Sequence, residues 1–319
     1  MAGSGRAAGT DRVSVVIATR DRPRELVRTL ARLGRLRPVP PVIVVDNASR
    51  SLDRGLHRHP AVYEVVRLSR NLGAAARTAG VELAPTRYVA FSDDDSWWAP
   101  AALAEAAYAL DRHPTLGLVT GQTLVGPACH PDPVNAALAA SPLPPGRGAG
   151  PLPGPSVLGC LACATVVRRE AYLAVGGFSA LMSVGGEEEL LCYDLAAAGW
   201  ARCYLAEVVA HHHPSPRRAP PWRREAVQRR NRALVGWLRR PLPVAAAQTA
   251  ALVRDAATDR VARAALAGLA RRLPAALAAR RPLPAEVEAQ VRMLERPTGP
   301  GGSAALGPAM DRPGGGPAS

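Results

Sequence analysis

Carboxylates and other polar side chains stand where three short apolar runs of the sequence end. One run is followed by Asp93, Asp94 and Asp95, a second ends in Asp46, and a third ends in Thr19. A single Asp in such a place can serve only to start a turn or cap a helix, and for Asp46 that explanation stays open. Three consecutive aspartates repel one another without a cation, and hard divalent cations prefer oxygen ligands that they can bridge to phosphates. The triplet therefore predicts a site for such a cation.

A second acidic group, Glu187-Glu188-Glu189, follows the Gly185-Gly186 turn and opens a predicted helix. Backbone N–H groups at a helix start favour an ionised carboxylate, which is the form that a general base must have. Adjacent helix residues diverge by about 100°, so the three side chains cannot all face one substrate. The same residues could serve only to stabilise the helix N-terminus, and this alternative stays open.

The elements that must position these groups follow from an alternation of β-branched runs with amphipathic segments. Strands are predicted over 13–18, 41–46, 62–68 and 87–92, and helices from Asp21, as N-cap with Pro23 in the first turn, and over 72–84. Such alternation implies crossover connections and a mostly parallel sheet. Ligands gather at the carboxyl ends of parallel strands. We therefore expect an α/β fold, an open and mostly parallel sheet flanked by helices, with the polar strand ends at one edge.

The rest of the chain is predicted to complete this domain and then to change character. A helix over 99–112, a strand over 116–123, an irregular loop over 126–156, a strand over 157–167, a helix over 187–198 closed by Gly199 and an extended segment over 200–210 are expected. Arginine-rich helices follow from Trp222. The predicted organisation is a flexible N-terminus (1–11), a catalytic domain (12–213, with halves 12–98 and 99–213), a basic helical region (214–296) and a disordered tail (297–319).

Composition narrows the class of protein. The chain has 319 residues and a net charge of +14, of which +2 falls in residues 1–213 and +12 in residues 214–319. No stretch approaches the ~18–20 apolar residues of a membrane span, and the first residues lack the apolar core of a signal peptide. Five scattered cysteines do not form a disulfide framework, so a reducing cytoplasm is expected. Collagen, coiled coil, integral membrane protein and small secreted scaffold are excluded.

Three further groups carry weaker signals. Cys160 and Cys163 lie in a predicted strand, where residues i and i+3 point to opposite faces, so we expect a structural role. His211 and His213 share one face of a predicted strand, but a third zinc ligand is missing. The arginines at 229, 230, 232, 239 and 240 flank apolar residues, which fits either an amphipathic helix at an anionic membrane or a solvated face packed on the catalytic domain.

Several motifs, taken in order, resemble one enzyme family. VSVVIATRDRP, VIVVDNAS, NLGAAARTAG and FSDDD are similar to the nucleotide-binding half of family-2 glycosyltransferases with the GT-A fold. The similarity continues through GGF at 176–178, GGEEELL at 185–191, AAGW at 197–200 and the histidine at 211. It covers roughly residues 12–213, and no motif of this kind supports the chain beyond about residue 240.

The resemblance implies a role for each matching residue. Nucleotide binding is implied for Thr19, Asp46, Arg77, Asp93 and Asp94, binding of Mn²⁺ or Mg²⁺ for Asp95, Asp93 and His211, and catalysis for Glu188 as general base with Glu187 beside it. The sequence departs from the family pattern at four places: Glu188 stands where the family has Asp, Leu190 where it has a second Asp, Asp194 where it has Arg, and Thr78 where it has Asn.

The implied function is an inverting, metal-assisted transfer of a sugar from a nucleoside-diphosphate sugar to an acceptor hydroxyl. The acceptor could be a glycan, a lipid-linked carrier or a small molecule. The protein could also make peripheral contact with the cytoplasmic face of an anionic membrane. A sugar-phosphate nucleotidyltransferase would normally have a glycine-rich loop after the first strand, and ATRDRPREL contains no glycine. A degenerate, non-catalytic nucleotide-sugar-binding module stays open. Nucleic acid is not expected as a partner, because aromatic residues are only 4% of the chain.

Overall fold

The fold is described from a computed structural model, which describes residues 12–51, 55–146, 148–216 and 219–296. The predicted flexible N-terminus (1–11) and the predicted disordered tail (297–319) lie outside the described residues.

Nine strands in the described part of the chain form one mixed sheet. They are β1 (Val13–Thr19), β2 (Val42–Asp46), β3 (Val62–Arg67), β4 (Tyr88–Asp93), β5 (Ser96–Trp98), β6 (Leu116–Val125), β7 (His130–Pro131), β8 (Thr165–Arg168) and β9 (Ala201–His212). The order is β3-β2-β1-β4-β8-β6-β9-β5, with β7 paired to β6. The first four strands are parallel, β8 is antiparallel to both of its neighbours, and β6 and β9 are parallel. The predicted open α/β sheet flanked by helices is confirmed, and its described strand pairs are four parallel and four antiparallel.

Ten helices in the described residues flank or extend this sheet. They are α1 (Pro23–Leu33), α2 (Ala76–Leu83), α3 (Ala102–Arg112), α4 (Pro133–Ala139), α5 (Arg169–Ala174), α6 (Glu187–Ala197), α7 (Pro221–Arg239), α8 (Leu242–Ala256), α9 (Arg260–Ala278) and α10 (Ala285–Glu295). One apolar core lies between the sheet and α1 and α3, and a second lies on the other face under α2, α5 and α6. A third core joins α6 to the C-terminal helices.

Local start signals differ from the expectation at two helices. The N-cap of α1 is Arg22, not Asp21, because Asp21 takes a left-handed conformation with φ 56° and its carboxylate accepts from the Arg50 amide instead. Pro23 does occupy the first turn. The segment predicted as helix over 72–84 begins with a short 3₁₀ turn at Gly73–Ala75, and the α-helix starts only at Ala76.

Two longer segments also correct the expectation. The predicted loop 126–156 contains β7 and the helix α4, whose N-cap Asp132 accepts from the Val134 amide. The predicted strand 157–167 is regular only from Thr165, because residues 162–164 form a 3₁₀ turn. Cys160 and Cys163 therefore do not lie in a strand, and both are buried free thiols.

Arginines of the C-terminal region are used inside the protein. The Arg239 guanidinium pairs with Asp194 of α6, and Arg240 donates to Glu288 and Glu295 of α10 at 2.7 Å each. Arg239 and Arg240 are buried. Their charges hold α6, α7 and α10 together, so they do not form the membrane-facing basic surface that we considered. Within the described residues, every helix is too short or too polar to span a membrane.

Candidate functional site

The polar strand ends predicted from the sequence are neighbours in the sheet. Thr19 at the end of β1 is in register with Asp46 at the end of β2, and Ala18 is in register with Asp93 at the end of β4. Parallel strands end at one edge, so the three ends place their side chains around one depression.

Three potential metal ligands converge there. The ligand atoms of Asp93, Asp95 and His212 all lie within 4.8 Å of one another. The Nε2 atom of His212 is 3.3 Å from Oδ1 of Asp95. Two carboxylates and one imidazole are donors that Mn²⁺ accepts and that leave positions open for a substrate. The residues present therefore fit a divalent cation.

The histidine in this group is His212, which corrects the expectation of His211. Successive residues of a strand point to opposite faces, and on β9 the odd-numbered histidines face away from the carboxylates. His211 stacks on Trp97 with ring centroids 5.6 Å apart, and His213 contacts the same ring at 4.6 Å. Burial, followed by the nearby Arg32 charge, lowers the pKa of His211.

Asp95 is the most firmly held of the three aspartates. Its Oδ2 accepts from the Ser215 amide at 2.8 Å, and Arg22 approaches it at 3.4 Å. Burial by itself would raise the pKa of Asp95, but the hydrogen bond and charge of His212, the Ser215 amide and Arg22 together lower that pKa. Asp95 is thus held as a carboxylate pointing at the cation position.

Asp94 has a different environment from its neighbours. Its carboxylate accepts from the Thr19 hydroxyl at 2.9 Å and from Arg22 at 3.1 Å. Its backbone carbonyl accepts from Thr29 at 2.9 Å. Burial raises the pKa of Asp94 to about 6. The predicted nucleotide residues Thr19 and Asp94 are therefore bonded to each other and link β1 to β4 below the cation position.

Asp46 is fully buried, and one of its two carboxylate oxygens accepts no hydrogen bond. Oδ1 accepts from the Ser49 amide at 2.9 Å, whereas Oδ2 has no hydrogen-bond partner in the structure and faces Arg67 Nε at 3.4 Å. The next residue, Asn47, was not singled out from the sequence. Its side chain accepts from the Leu72 amide at 2.7 Å and donates to the Gly73 carbonyl at 3.0 Å, which ties the NLG turn to β2.

Arg77 lies between the two acidic groups. Its guanidinium pairs with Asp93 and lies over the Phe178 ring at 5.8 Å. Burial by itself would lower the pKa of Arg77, but the charges of Asp93, Glu187 and Glu188 raise that pKa. A buried, permanently charged arginine at this place can bind an anionic group.

The three glutamates at the start of α6 diverge as their helical spacing predicts. Glu188 Oε1 accepts from the Ala162 amide at 2.7 Å, and Glu189 accepts from the Tyr193 hydroxyl at 2.6 Å. Glu187 is buried, and its Oε2 has no hydrogen-bond partner in the structure. All three glutamates line the cleft, and the Glu189 carboxylate is engaged by Tyr193.

Burial, not the helix dipole, dominates the ionisation of this pair. Burial raises the pKa of Glu187 to about 7, and burial together with the Glu187 charge raises the pKa of Glu188 to about 8. Burial thus opposes the ionisation of Glu188 that the helix start was expected to favour. Desolvation destabilises the ionised carboxylate by more free energy than the N-terminal amides of the helix supply to stabilise it.

The loop before Glu187 is clamped from two sides. Its Ser183 carbonyl accepts from the Ala74 amide at 2.8 Å and approaches Gly73 so closely that a Cβ there would lie 2.5 Å from it. From the other side, Asn231 of α7 donates to the Val184 carbonyl at 3.2 Å, and also to the carbonyl of Gly185. Asn231 was not predicted from the sequence, since it lies far along the chain from the loop that it holds.

One cleft of about 920 Å³ contains both acidic groups. Asp93, Asp95 and His212 line one part of it, and Glu187 and Glu188 line the next. The cleft continues between α6, α7, α8 and α10. A cation site, a buried arginine and a carboxylate able to take a proton therefore open into the same space.

Comparison with known proteins agrees with this geometry. The family model described as glycosyl transferase family 2 matches residues 14–176, about half of the chain. A comparison with curated proteins found no match. The matched range includes the three aspartates and Arg77 but ends before Glu187 and His212.

Solved structures show the same fold. The mannosyltransferase PcManGT from Pyrobaculum calidifontis, in complex with GDP-Man and Mn²⁺, is 21% identical with a TM-score of 0.53, covering 90% of this chain and 80% of its own. S. aureus TarS 1–349 is 15% identical with a TM-score of 0.51, covering 82% and 71%. GalNAc-T7 with UDP, GalNAc and Mn²⁺ is 15% identical with a TM-score of 0.54, covering 72% of this chain. The present chain spans about half of that GalNAc-T7 chain, with 48% covered.

Proposed function

We propose that this chain, a glycosyltransferase that belongs to glycosyl transferase family 2, moves a sugar from a nucleoside-diphosphate sugar to an acceptor hydroxyl. The transfer inverts the configuration of the anomeric carbon. The observation that carries this proposal is one cleft shared by the Asp93–Asp95–His212 group and the Glu187–Glu188 pair. The solved structures with GDP-Man and Mn²⁺ or with UDP and Mn²⁺ support the donor class.

The cation is assigned to Asp95, Asp93 and His212. Their oxygen and nitrogen donors suit Mn²⁺ or Mg²⁺, and such an ion supplies charge neutralisation for the departing diphosphate. Asp93 is already paired with Arg77, which places a permanent positive charge beside the same diphosphate. His211 is not part of this assignment, since it faces Trp97.

Nucleotide recognition is assigned to Thr19, Asp46, Arg77, Asp93 and Asp94. Asp46 supports the assignment best, because its Oδ2 lacks a hydrogen-bond partner at the end of β2 and can accept from a ring N–H of the base. Thr19 and Asp94 act through each other, since the Thr19 hydroxyl donates to that carboxylate. Arg77 binds the diphosphate.

Glu188 is assigned as the general base. The acceptor oxygen attacks the anomeric carbon, the bond from that carbon to the diphosphate oxygen breaks, and the acceptor proton passes to a Glu188 carboxylate oxygen. A single displacement of this kind inverts the configuration. The raised pKa of Glu188, about 8, means that the carboxylate holds a captured proton readily. Glu187 lies beside it and contacts the acceptor.

The catalytic domain is assigned to residues 12–213, with residues 12–98 for the donor and 99–213 for the acceptor. The helical region 214–296 is assigned as a support for the acceptor side, because α7 holds the loop before Glu187. All five cysteines are free thiols, which supports a reducing, cytoplasmic location.

Thermal unfolding with a panel of nucleoside diphosphates tests the proposal. A ligand that binds only the folded protein raises its stability, so UDP or GDP should raise the unfolding midpoint when Mn²⁺ is present and less when it is absent. Asp95→Asn should remove the Mn²⁺-dependent part, whereas Asp255→Asn on the exposed surface of α8 should keep it. A midpoint unmoved by every nucleotide would contradict the proposal.

A further inference from the structure

The C-terminal helices lie outside the family match and still line the cleft that contains Glu188. Val227 and Val235 lie on one face of α7 and line the cleft. Val291 and Leu294 lie on one face of α10 and line it as well. Residues of the two helices thus form the wall of an arm of the cleft, which we call the C-terminal arm. The arm adjoins the start of α6, where Glu187 and Glu188 lie.

The charged groups of the C-terminal arm are already neutralised or lie at its rim. Arg240 is bonded to both Glu288 and Glu295 at 2.7 Å. Glu189 accepts from the Tyr193 hydroxyl, and burial raises its pKa. Arg223 and Arg232 of α7 also line the cleft, and both are exposed. The buried charges of the arm are therefore paired, and the arginines that could meet a charged acceptor lie on its exposed side.

An exposed apolar side chain stands at the mouth of the cleft. Val184 is 66% exposed, which makes it the most exposed large apolar side chain among the described residues, and it lines the cleft. Its backbone is not loose, since the Val184 carbonyl accepts from Asn231. A fixed, solvent-exposed valine in the same cleft as Glu188 gains stability when an apolar surface covers it.

We propose that the C-terminal arm binds the apolar body of the acceptor, so that the acceptor is an alcohol carrying a hydrocarbon or aryl portion. This inference rests on the proposed function, which places the reacting hydroxyl at Glu188. The apolar body lies along Val184, Val235, Val291 and Leu294. Specificity for such an acceptor then comes from the helices that the family match does not include.

Direct binding of matched glycosides tests the inference. Methyl and octyl β-D-glucopyranoside present the same hydroxyls and differ only in the apolar group, and both are titrated below the micelle concentration of the octyl compound. We expect saturable binding of octyl glucoside, at least about 100-fold tighter than methyl glucoside. A 2-naphthyl glucoside distinguishes an aryl acceptor from one with a hydrocarbon chain. Tighter binding than that of octyl glucoside indicates a compact aryl acceptor, and weaker binding indicates a flexible chain. Equal affinity for all three compounds would overturn the inference.

Two variants and one matched control locate the binding. Val184→Asp changes an exposed residue and is expected to fold normally, and it should weaken octyl glucoside binding at least about tenfold. Leu294→Gln should do the same from α10. Val253→Asp makes the same change as Val184→Asp at a site that is 52% exposed outside the cleft, and it should bind like the unmodified protein.

Failure of the inference about the C-terminal arm can be distinguished from failure of the proposed nucleotide site. Stabilisation by nucleoside diphosphate with Mn²⁺ is measured on the same samples, and it should be unchanged in Val184→Asp and Leu294→Gln. Lost nucleotide binding in the unmodified protein contradicts the proposed function, whatever the glycosides do. Normal nucleotide binding together with unaltered octyl glucoside binding in both variants overturns the C-terminal arm alone.

Discussion

The side-chain amide of Asn231 donates a hydrogen bond of 3.2 Å to the carbonyl of Val184, three residues before Glu187. Asn231 is fully buried on α7, and its amide also donates to the carbonyl of Gly185. Gly186, with φ 87°, then leads directly into α6. A residue of the C-terminal helical region thus fixes the backbone from which Glu187 and Glu188 project.

Asn231→Ala should therefore damage turnover more than donor binding. We expect kcat to fall by about 10–100-fold, because small misplacements of a reacting group are costly, while nucleotide affinity stays the same. Loss of the hydrogen bonds to two carbonyls should also lower the free energy of unfolding by about 1–3 kcal/mol. Steady-state kinetics and denaturant unfolding measure both effects. Arg254→Ala on exposed α8 is the control, and a parallel loss of nucleotide affinity in Asn231→Ala would argue against a positioning role.

Glu188→Gln should remove activity and stabilise the protein. Loss of the general base should reduce turnover by about 10²–10⁴-fold with donor binding nearly unchanged. The pKa of Glu188 is raised by burial and then by Glu187. Its contribution to the free energy of unfolding is therefore fully present below the unfolded pKa near 4.5, and it is lost as the pH rises through about 8.

Glutamine is neutral at every pH and does not lose this advantage. The unfolding midpoint of Glu188→Gln should therefore exceed that of the unmodified protein by a margin that grows from pH 5 to pH 9, equivalent to about 1–3 kcal/mol. Exposed Glu170→Gln should show no such trend in thermal unfolding. A variant that is less stable than the unmodified protein at pH 9 would show that Glu188 is not desolvated as described.

The dependence of kcat on pH should report the same group. Because Glu188 must be ionised to accept a proton, kcat should rise with pH from 6, reach half of its maximum near pH 8 and level off roughly one unit higher. Glu187 contributes to the raised pKa, so in Glu187→Gln the rise should move to lower pH, provided that activity remains measurable. A profile already level at pH 6 in the unmodified enzyme would exclude Glu188, with this pKa, as the base.

Neighbouring histidines provide a matched pair of variants. His212→Gln removes a ring nitrogen 3.3 Å from Asp95, whereas His211→Gln alters a ring stacked on Trp97. We expect His212→Gln to weaken Mn²⁺ binding in the presence of nucleoside diphosphate by at least about tenfold, and His211→Gln to leave it unchanged. Calorimetric titration with Mn²⁺ measures the difference, and the reverse result would restore His211 to the site.

The sequence predicts the part of the cleft at the strand ends well and the part at α6 and α7 poorly. Strand periodicity is local, and parallel strand ends must meet at one edge, so the neighbourhood of Thr19, Asp46 and Asp93 follows from short segments alone. Alternation along β9 separates His211 from His212, but which of them faces Asp95 depends on the pairing with β5. That pairing is not visible in the sequence.

Other misses have long-range causes or overlooked local ones. Asn231 contacts a loop more than forty residues earlier, and no spacing rule connects them. The pKa of Glu188 is raised by burial and by the neighbouring Glu187 charge, against the hydrogen bond from the Ala162 amide, and a helix-start argument cannot include this burial. The helix α4 was detectable, since Asp132-Pro133 is a typical N-cap and first turn, but the surrounding prolines and glycines concealed it.

Release of nucleoside diphosphate from UDP- and GDP-sugars, followed with and without Mn²⁺, tests the central claim most directly. We expect release from at least one donor, and we expect a chelator to stop it and added Mn²⁺ or Mg²⁺ to restore it. Asp95→Asn and Glu188→Gln should both lose this release, while Asp255→Asn should retain it. Of these two inactive variants, only Glu188→Gln should still bind the nucleotide with Mn²⁺. Release at an undiminished rate in the presence of chelator, or in Glu188→Gln, would contradict the metal-assisted, base-assisted transfer proposed for this cleft.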